Sequence, residues 1–118
     1  MNKGKDSLSS EAITRLHGVA IVVGDKSVSH RALILSAIAE GSTTINGLLH
    51  SADVHATLNA LRDLGVKINI LENGDVEVIG VGMHGLCQPK SQLDLGNAGT
   101  GVRLLMGLVG SQQISATF

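Results

Sequence analysis

At 118 residues the chain has the length of one domain, enough to bury roughly two thirds of the surface that its unfolded form exposes. A formal net charge of −1 gives no general attraction for nucleic acid or an anionic membrane, and a single aromatic residue, Phe118, leaves no stacking platform for single-stranded nucleic acid. No apolar run reaches membrane-spanning length and no signal-type apolar stretch opens the chain, while the lone Cys87 excludes an internal disulfide and fits a cytoplasmic setting.

Residues 1–12 are polar and read as a frayed, disordered tail ahead of a folded unit over 13–118. Ile13 to Val23 is rich in β-branched residues, densest at Val19-Ala20-Ile21-Val22-Val23, and predicts a strand ending at Gly24. Ser29 to Ala39 predicts a helix that is apolar almost all round and therefore buried on most sides. Gly41 is a stop signal, and Thr43 to Leu49 predicts the next strand. Ser51 suits an N-cap and Asp53 a first-turn acid, before a helix marked by Val54, Leu58 and Leu61 that closes at Gly65. Alternation in Val66 to Leu71 and Val76 to Ile79 predicts a hairpin turning near Asn73-Gly74. Gly80 to Ser91 is glycine-punctuated, contains Pro89, and predicts a loop. Leu93 to Leu95 predicts a short strand, Val102, Leu105, Met106 and Val109 a helix stopped at Gly110, and Ile114 to Phe118 a last strand. The fold class is α+β: one complete β-α-β-α-β-β unit followed by part of a second.

The repeat is also visible in two motifs. Gly24-Asp25-Lys26-Ser27-Val28-Ser29-His30-Arg31 and Gly96-Asn97-Ala98-Gly99-Thr100-Gly101-Val102-Arg103 both lead into apolar helical stretches, with Arg seven positions after Gly. A helix start leaves backbone N–H groups unpaired and carries positive potential, so small residues there suit a phosphate or carboxylate. The first run adds the cations of Lys26 and Arg31 and the hydroxyls of Ser27 and Ser29; the second offers backbone donors with Asn97 and Thr100. Two such sites point to a substrate with more than one anionic group.

Other motifs have plainer readings. Gly80-Val81-Gly82-Met83-His84-Gly85 satisfies G-x-G-x-x-G, but Pro89 stands where the required helix would begin, so the run reads as a loop. The Lys26-Ser27 pair lacks the upstream glycine of a P-loop. The five His residues show no paired spacing that suggests a metal site, and no cofactor is implied. His30 and His55 read as structural or helix-surface residues, Asp53 as a helix-start charge, and Arg31 and Arg103 as cations in need of an anion, a carboxylate such as Asp25 or Asp53, or solvent.

Taken with the Leu48-Leu49-His50-Ser51-Ala52-Asp53-Val54 segment, the runs at 24–31 and 95–103 closely resemble the 5-enolpyruvylshikimate-3-phosphate synthases over about residues 13–118. The wording Gly-Asp-Lys-Ser and Arg-Leu-x-Met-Gly-Leu is nearer the bacterial branch associated with glyphosate tolerance. The resemblance implies transfer of the enolpyruvyl group of phosphoenolpyruvate to shikimate 3-phosphate, with phosphate released, in aromatic amino-acid synthesis. It implies that Lys26 is catalytic and contacts both substrates, that Ser27 and Arg31 hold shikimate 3-phosphate, and that Asn97, Gly99 and Thr100 line the end that takes phosphoenolpyruvate or the inhibitor glyphosate. Gly99 implies glyphosate sensitivity, with Gly101 and Leu104 as departures nearby, and Val23 replaces the Pro common before the glycine. Members of the family are three or four times longer, which implies that this chain is an N-terminal fragment inactive alone, associating with itself or with the remaining part. The related transferase acting on UDP-N-acetylglucosamine carries Lys-Asn where this chain has Lys26-Ser27. A different class of reading is a non-catalytic anion-binding or complementing domain.

Overall fold

The computed structural model describes residues 7–118; half of the tail read at 1–12, residues 1–6, lies outside the described residues. Three helices and three strands follow in the order α1 (Lys26–Ile38), β1 (Glu40–Ile45), α2 (Ala52–Asp63), β2 (Lys67–Ile70), β3 (Val76–Val81) and α3 (Gly99–Gly110). The α+β class therefore holds, with the strands gathered into one antiparallel sheet of order β1-β3-β2.

The local causes are legible. Asp25 caps α1 by accepting from the Val28 N–H at 2.7 Å, so the helix starts at Lys26, three residues before the expected Ser29. Ser51 caps α2 as expected. That helix ends in a Schellman arrangement in which the Val66 N–H donates to Leu61 O at 3.0 Å and Gly65 takes φ +94°. The hairpin turns where Asn73-Gly74 predicted, with Gly74 at φ +87° and the Asp75 N–H donating to Asn73 Oδ1.

Helices α1 and α2 pack on each other, and α1 on β3, while α3 leans on both helices. β3 is the central strand, pairing Val78 with Thr43 on one side and Ile68 on the other. Its inward residues Val76 and Val78 are fully buried with Leu33, Ala37, Leu58, Leu61, Leu64 and Leu105. A core of this type is held by close aliphatic packing.

Four expected strands differ from the structure. Residues 13–23 form no strand: Val19, Ile21, Val22 and Val23 are 80–97% exposed. Their β-propensity is real, but a strand exists only where a neighbour takes its backbone hydrogen bonds, and among the described residues none does. The strand expected at 43–49 is displaced to Glu40–Ile45, because Gly47 at φ +68° breaks the extended run and sends Leu48 into the core. Segments 93–95 and 114–118 lie side by side through one backbone bond, Leu93 N–H to Thr117 O at 2.8 Å, without a ladder. The strands expected in the second unit are thus absent among the described residues, and only its helix is formed.

Candidate functional site

The Gly24 to Arg31 run is the start of α1, and what holds it there is the loop before α2. Ser29 donates through Oγ to Asp25 O at 2.7 Å and accepts from the Leu49 N–H at 3.0 Å. Gly24 lies so close to this loop that an added Cβ would overlap Gly47 O. The glycine is therefore required by backbone packing, where the sequence suggested room for an anion.

Lys26 and Asp53 form the most informative pair. Lys26 Nζ donates to Asp53 Oδ2 at 3.1 Å, with the two side chains 52% and 29% exposed. A pair this open to water contributes about 0–1 kcal/mol to stability, so its consequence is mainly directional: it aims an ammonium across the gap between α1 and α2. Asp53 is thus more than a helix-start charge. Ser27 is half-buried beside Lys26, while Arg31 is exposed and, among the described residues, makes no ion pair with Asp25 or Asp53.

Asn97, Gly99 and Thr100 all lie exposed at the start of α3. Ala98 occupies the N-cap and supplies no side-chain acceptor; the Gly99 N–H donates to Asn97 O at 3.0 Å, which leaves the Thr100 and Gly101 amides of the first turn with donor capacity for another group. An added Cβ at Gly99 would point into open space. Gly101, by contrast, is buried against α1 and α2: its Cβ would overlap Thr57 Oγ1 and come within 3.5 Å of His30 Cε1. This contact brings the two sequence runs together, because His30 and Thr57 lie one turn along from Lys26 and Asp53.

His30 and Thr57 are both fully buried and share a hydrogen bond of 2.9 Å between Nδ1 and Oγ1. His30 Nε2 is buried without a hydrogen-bond partner among the described residues. Desolvation holds the imidazole below its ordinary value of 6.5, opposed by the Asp53 charge and assisted by that of Lys26. Sequence reading placed His30 as structural or on a helix surface, and the structure decides for the former. No single position in the sequence marked the pairing with Thr57, although both pairs share one separation of 27 residues.

The remaining motifs stay outside this region. Gly80 and Val81 end β3, no helix follows, and an added Cβ at Gly80 or Gly85 would overlap Ala39 O or Val81 O, so packing accounts for these glycines. Cys87 is free and exposed near Gly65, and among the described residues no group of three or more His, Cys, Asp or Glu is placed to hold a metal ion.

Comparison with known proteins decides the family. The model of EPSP synthase (3-phosphoshikimate 1-carboxyvinyltransferase) matches residues 10–118. The chain belongs to the EPSP synthase family. It is 49% identical over 117 residues to the 3-phosphoshikimate 1-carboxyvinyltransferase of Parvibaculum lavamentivorans, covering 99% of this chain and 26% of that protein. It is 55% identical over 94 residues to the protein of that name from Halorhodospira halophila, covering 80% of this chain and 21% of that one. Among solved structures, EPSP synthase from Acinetobacter baumannii superposes with a TM-score of 0.76 at 48% identity, covering 84% of this chain and 23% of that chain. The chain thus spans about a quarter of the length of the relatives it matches, and over that quarter the EPSP synthase fold is shared.

Proposed function

We propose that this chain supplies part of the substrate site of a 3-phosphoshikimate 1-carboxyvinyltransferase, which moves the enolpyruvyl group of phosphoenolpyruvate onto the hydroxyl of shikimate 3-phosphate and releases phosphate. The observation that carries the reading is the placement of the Lys26–Asp53 pair one turn from the contact between α3 and the other helices, in a chain of this family. It puts a cation and a helix start without a side-chain cap on neighbouring elements, suited to substrates bearing phosphate and carboxylate groups. In this reading Lys26 is the catalytic cation and touches both substrates, Ser27 and Arg31 hold shikimate 3-phosphate, and Asn97, Gly99 and Thr100 receive phosphoenolpyruvate or glyphosate.

Addition to the enolpyruvyl carbon and loss of phosphate redistribute charge over oxygen atoms. Fixed cations and N–H donors aimed at those oxygens lower the barrier, and holding both substrates together removes much of the entropic cost of their encounter. The acid and base that move protons have no counterpart in these residues. We therefore place the chain as the partial N-terminal domain of the enzyme, 13–118, with turnover requiring the remainder of the protein. No helix among the described residues is long and apolar enough to cross a membrane, and we propose that the protein acts in the cytoplasm, where its unpaired Cys87 stays reduced.

The test is titration of the 15N-labelled chain with each substrate. Shikimate 3-phosphate is expected to shift the resonances of Lys26, Ser27 and Arg31, and phosphoenolpyruvate those of Lys26, Asn97, Gly99 and Thr100. Lys26→Met is expected to weaken both by roughly tenfold or more, the value of a charge-assisted contact. Mixing with a polypeptide supplying the other three quarters of a relative is expected to release phosphate from the substrate pair, whereas the chain alone is not. Absence of shifts with both substrates, or phosphate release by the chain alone, would sink the reading.

A further inference from the structure

Two cross-links of one design join α1 to α2. Lys26 meets Asp53, and four residues along both helices His30 meets Thr57. Four residues is about one helical turn, so the pairs are successive rungs of a ladder between helices that run the same way. The first rung is open to water, and the second is dry, with His30 and Thr57 at 0% exposure. An exposed ion pair worth so little does not fix the spacing of the helices that carry it, whereas a dry, close-packed pair does.

The start of α3 closes on the dry rung. Gly101 leaves no room for a Cβ beside Thr57 Oγ1, so the distance of approach of α3 is set by that oxygen and by the His30 ring. Gly99 and Thr100, in the same turn, face outward. His30 Nε2 is meanwhile left buried and, among the described residues, unpartnered. A position selected for packing alone avoids that cost with an aliphatic side chain, and an orphaned buried polar atom calls for another explanation.

We propose that His30 is a positioning residue: through its bond to Thr57 it sets the spacing between the Lys26–Asp53 pair and the Gly99–Thr100 turn, so that one anionic ligand reaches both. The inference rests on the phosphorylated-substrate reading above and adds to it the pair that fixes the span of the site. It differs from a space-filling role in one consequence. An apolar replacement of similar size would satisfy the core and still disturb the site.

The experiment compares His30→Leu, His30→Asn and Thr57→Val with the wild-type 118-residue chain, using phosphoenolpyruvate as the probe. Asn can reproduce the Nδ1 side of the bond to Thr57 while deleting the unpartnered Nε2; Leu and Val remove the bond but keep the bulk. The Leu and Val variants are expected to stay folded by circular dichroism and to lose affinity by about tenfold, with Asn within about threefold of wild type, the scale on which small misplacements of binding groups act. In ligand-free spectra, Leu and Val are expected to move the Lys26 side-chain and Thr100 amide resonances, and Asn to leave them near their wild-type positions. If His30→Leu does not fold, Thr57→Val carries the same comparison. Wild-type affinity in the Leu or Val variant, unmoved Lys26 and Thr100 resonances, or an Asn variant as weak as Leu would overturn the assignment. A wild-type chain that binds no phosphoenolpyruvate would instead count against the substrate reading, and the ligand-free resonances would then decide the positioning role alone.

Discussion

Gly99 and Gly101 sit two residues apart in the first turn of α3 and face opposite surroundings. A methyl group at Gly99 meets open space, whereas at Gly101 it meets Thr57. Gly99→Ala is therefore expected to raise stability by roughly 0.4–1 kcal/mol through the unfolded chain, and Gly101→Ala to lower it by roughly 1–3 kcal/mol through overpacking. Urea denaturation of the two variants checks the opposite signs. His30 adds a pH dependence whose sign follows from its surroundings. Its folded-state value is lowered by burial, so the unfolded chain binds the proton more readily than the folded one. The contribution of His30 is thus complete above the unfolded value near 6.5 and is lost as pH falls below it. Melting temperature is expected to fall between pH 7 and 5 more steeply for wild type than for His30→Asn; equal slopes would contradict the assignment. At this scale the sequence showed Lys26, Ser27, Arg31, Asn97 and Thr100 as polar residues at helix starts. It could not show that Asp53 is the partner of Lys26 and that Arg31 has no ion pair among the described residues, because both facts depend on how two helices 27 residues apart in sequence are packed.

Helices were the most legible elements, since their capping and closing signals are local. The cap on α1 is short, 2.7 Å from Val28 N to Asp25 Oδ1, and Asp25→Ala is expected to cost about 1 kcal/mol of stability. At the end of α2, Gly65 combines φ +94° with a Cβ position 3.0 Å from Cys87 Sγ. Gly65→Ala is expected to cost roughly 1–2 kcal/mol from the left-handed backbone alone, and adding Cys87→Ala is expected to leave most of that loss in place, which thermal unfolding of the double variant would show. The hairpin was equally legible, because Asn73-Gly74 dictates its turn and alternation dictates its faces. Strands without a hairpin partner were not. Residues 13–23 carry stronger β-propensity than Glu40–Ile45, yet the latter form the strand, because β3 lies alongside to take their hydrogen bonds.

For the whole molecule, the consequence is an uneven distribution of apolar residues. The sheet and three helices enclose an aliphatic core, whereas Leu16, Val19, Ile21, Val22 and Val23 stand in water. Exposed apolar residues along an extended segment favour strand pairing between copies. The 118-residue chain is expected to self-associate with increasing concentration, and Ile21→Lys with Val22→Glu to shift it toward monomer without lowering the melting temperature. Sedimentation velocity showing a concentration-independent wild-type monomer would refute this. The sequence by itself determined the α+β class, the Ser51 cap that starts α2 and the hairpin, because the cap and the turn depend on residues within a few positions of one another. The runs at 24–31 and 95–103, with the Leu48 to Val54 segment, were also enough to indicate the family. Only the tertiary structure decided that Gly24 is needed for the approach of Gly47, that Lys26 pairs with Asp53, and that Gly101 brings the second run against the first over His30 and Thr57. Those are contacts between segments distant in the chain, and local propensity carries no information about which distant surface will arrive.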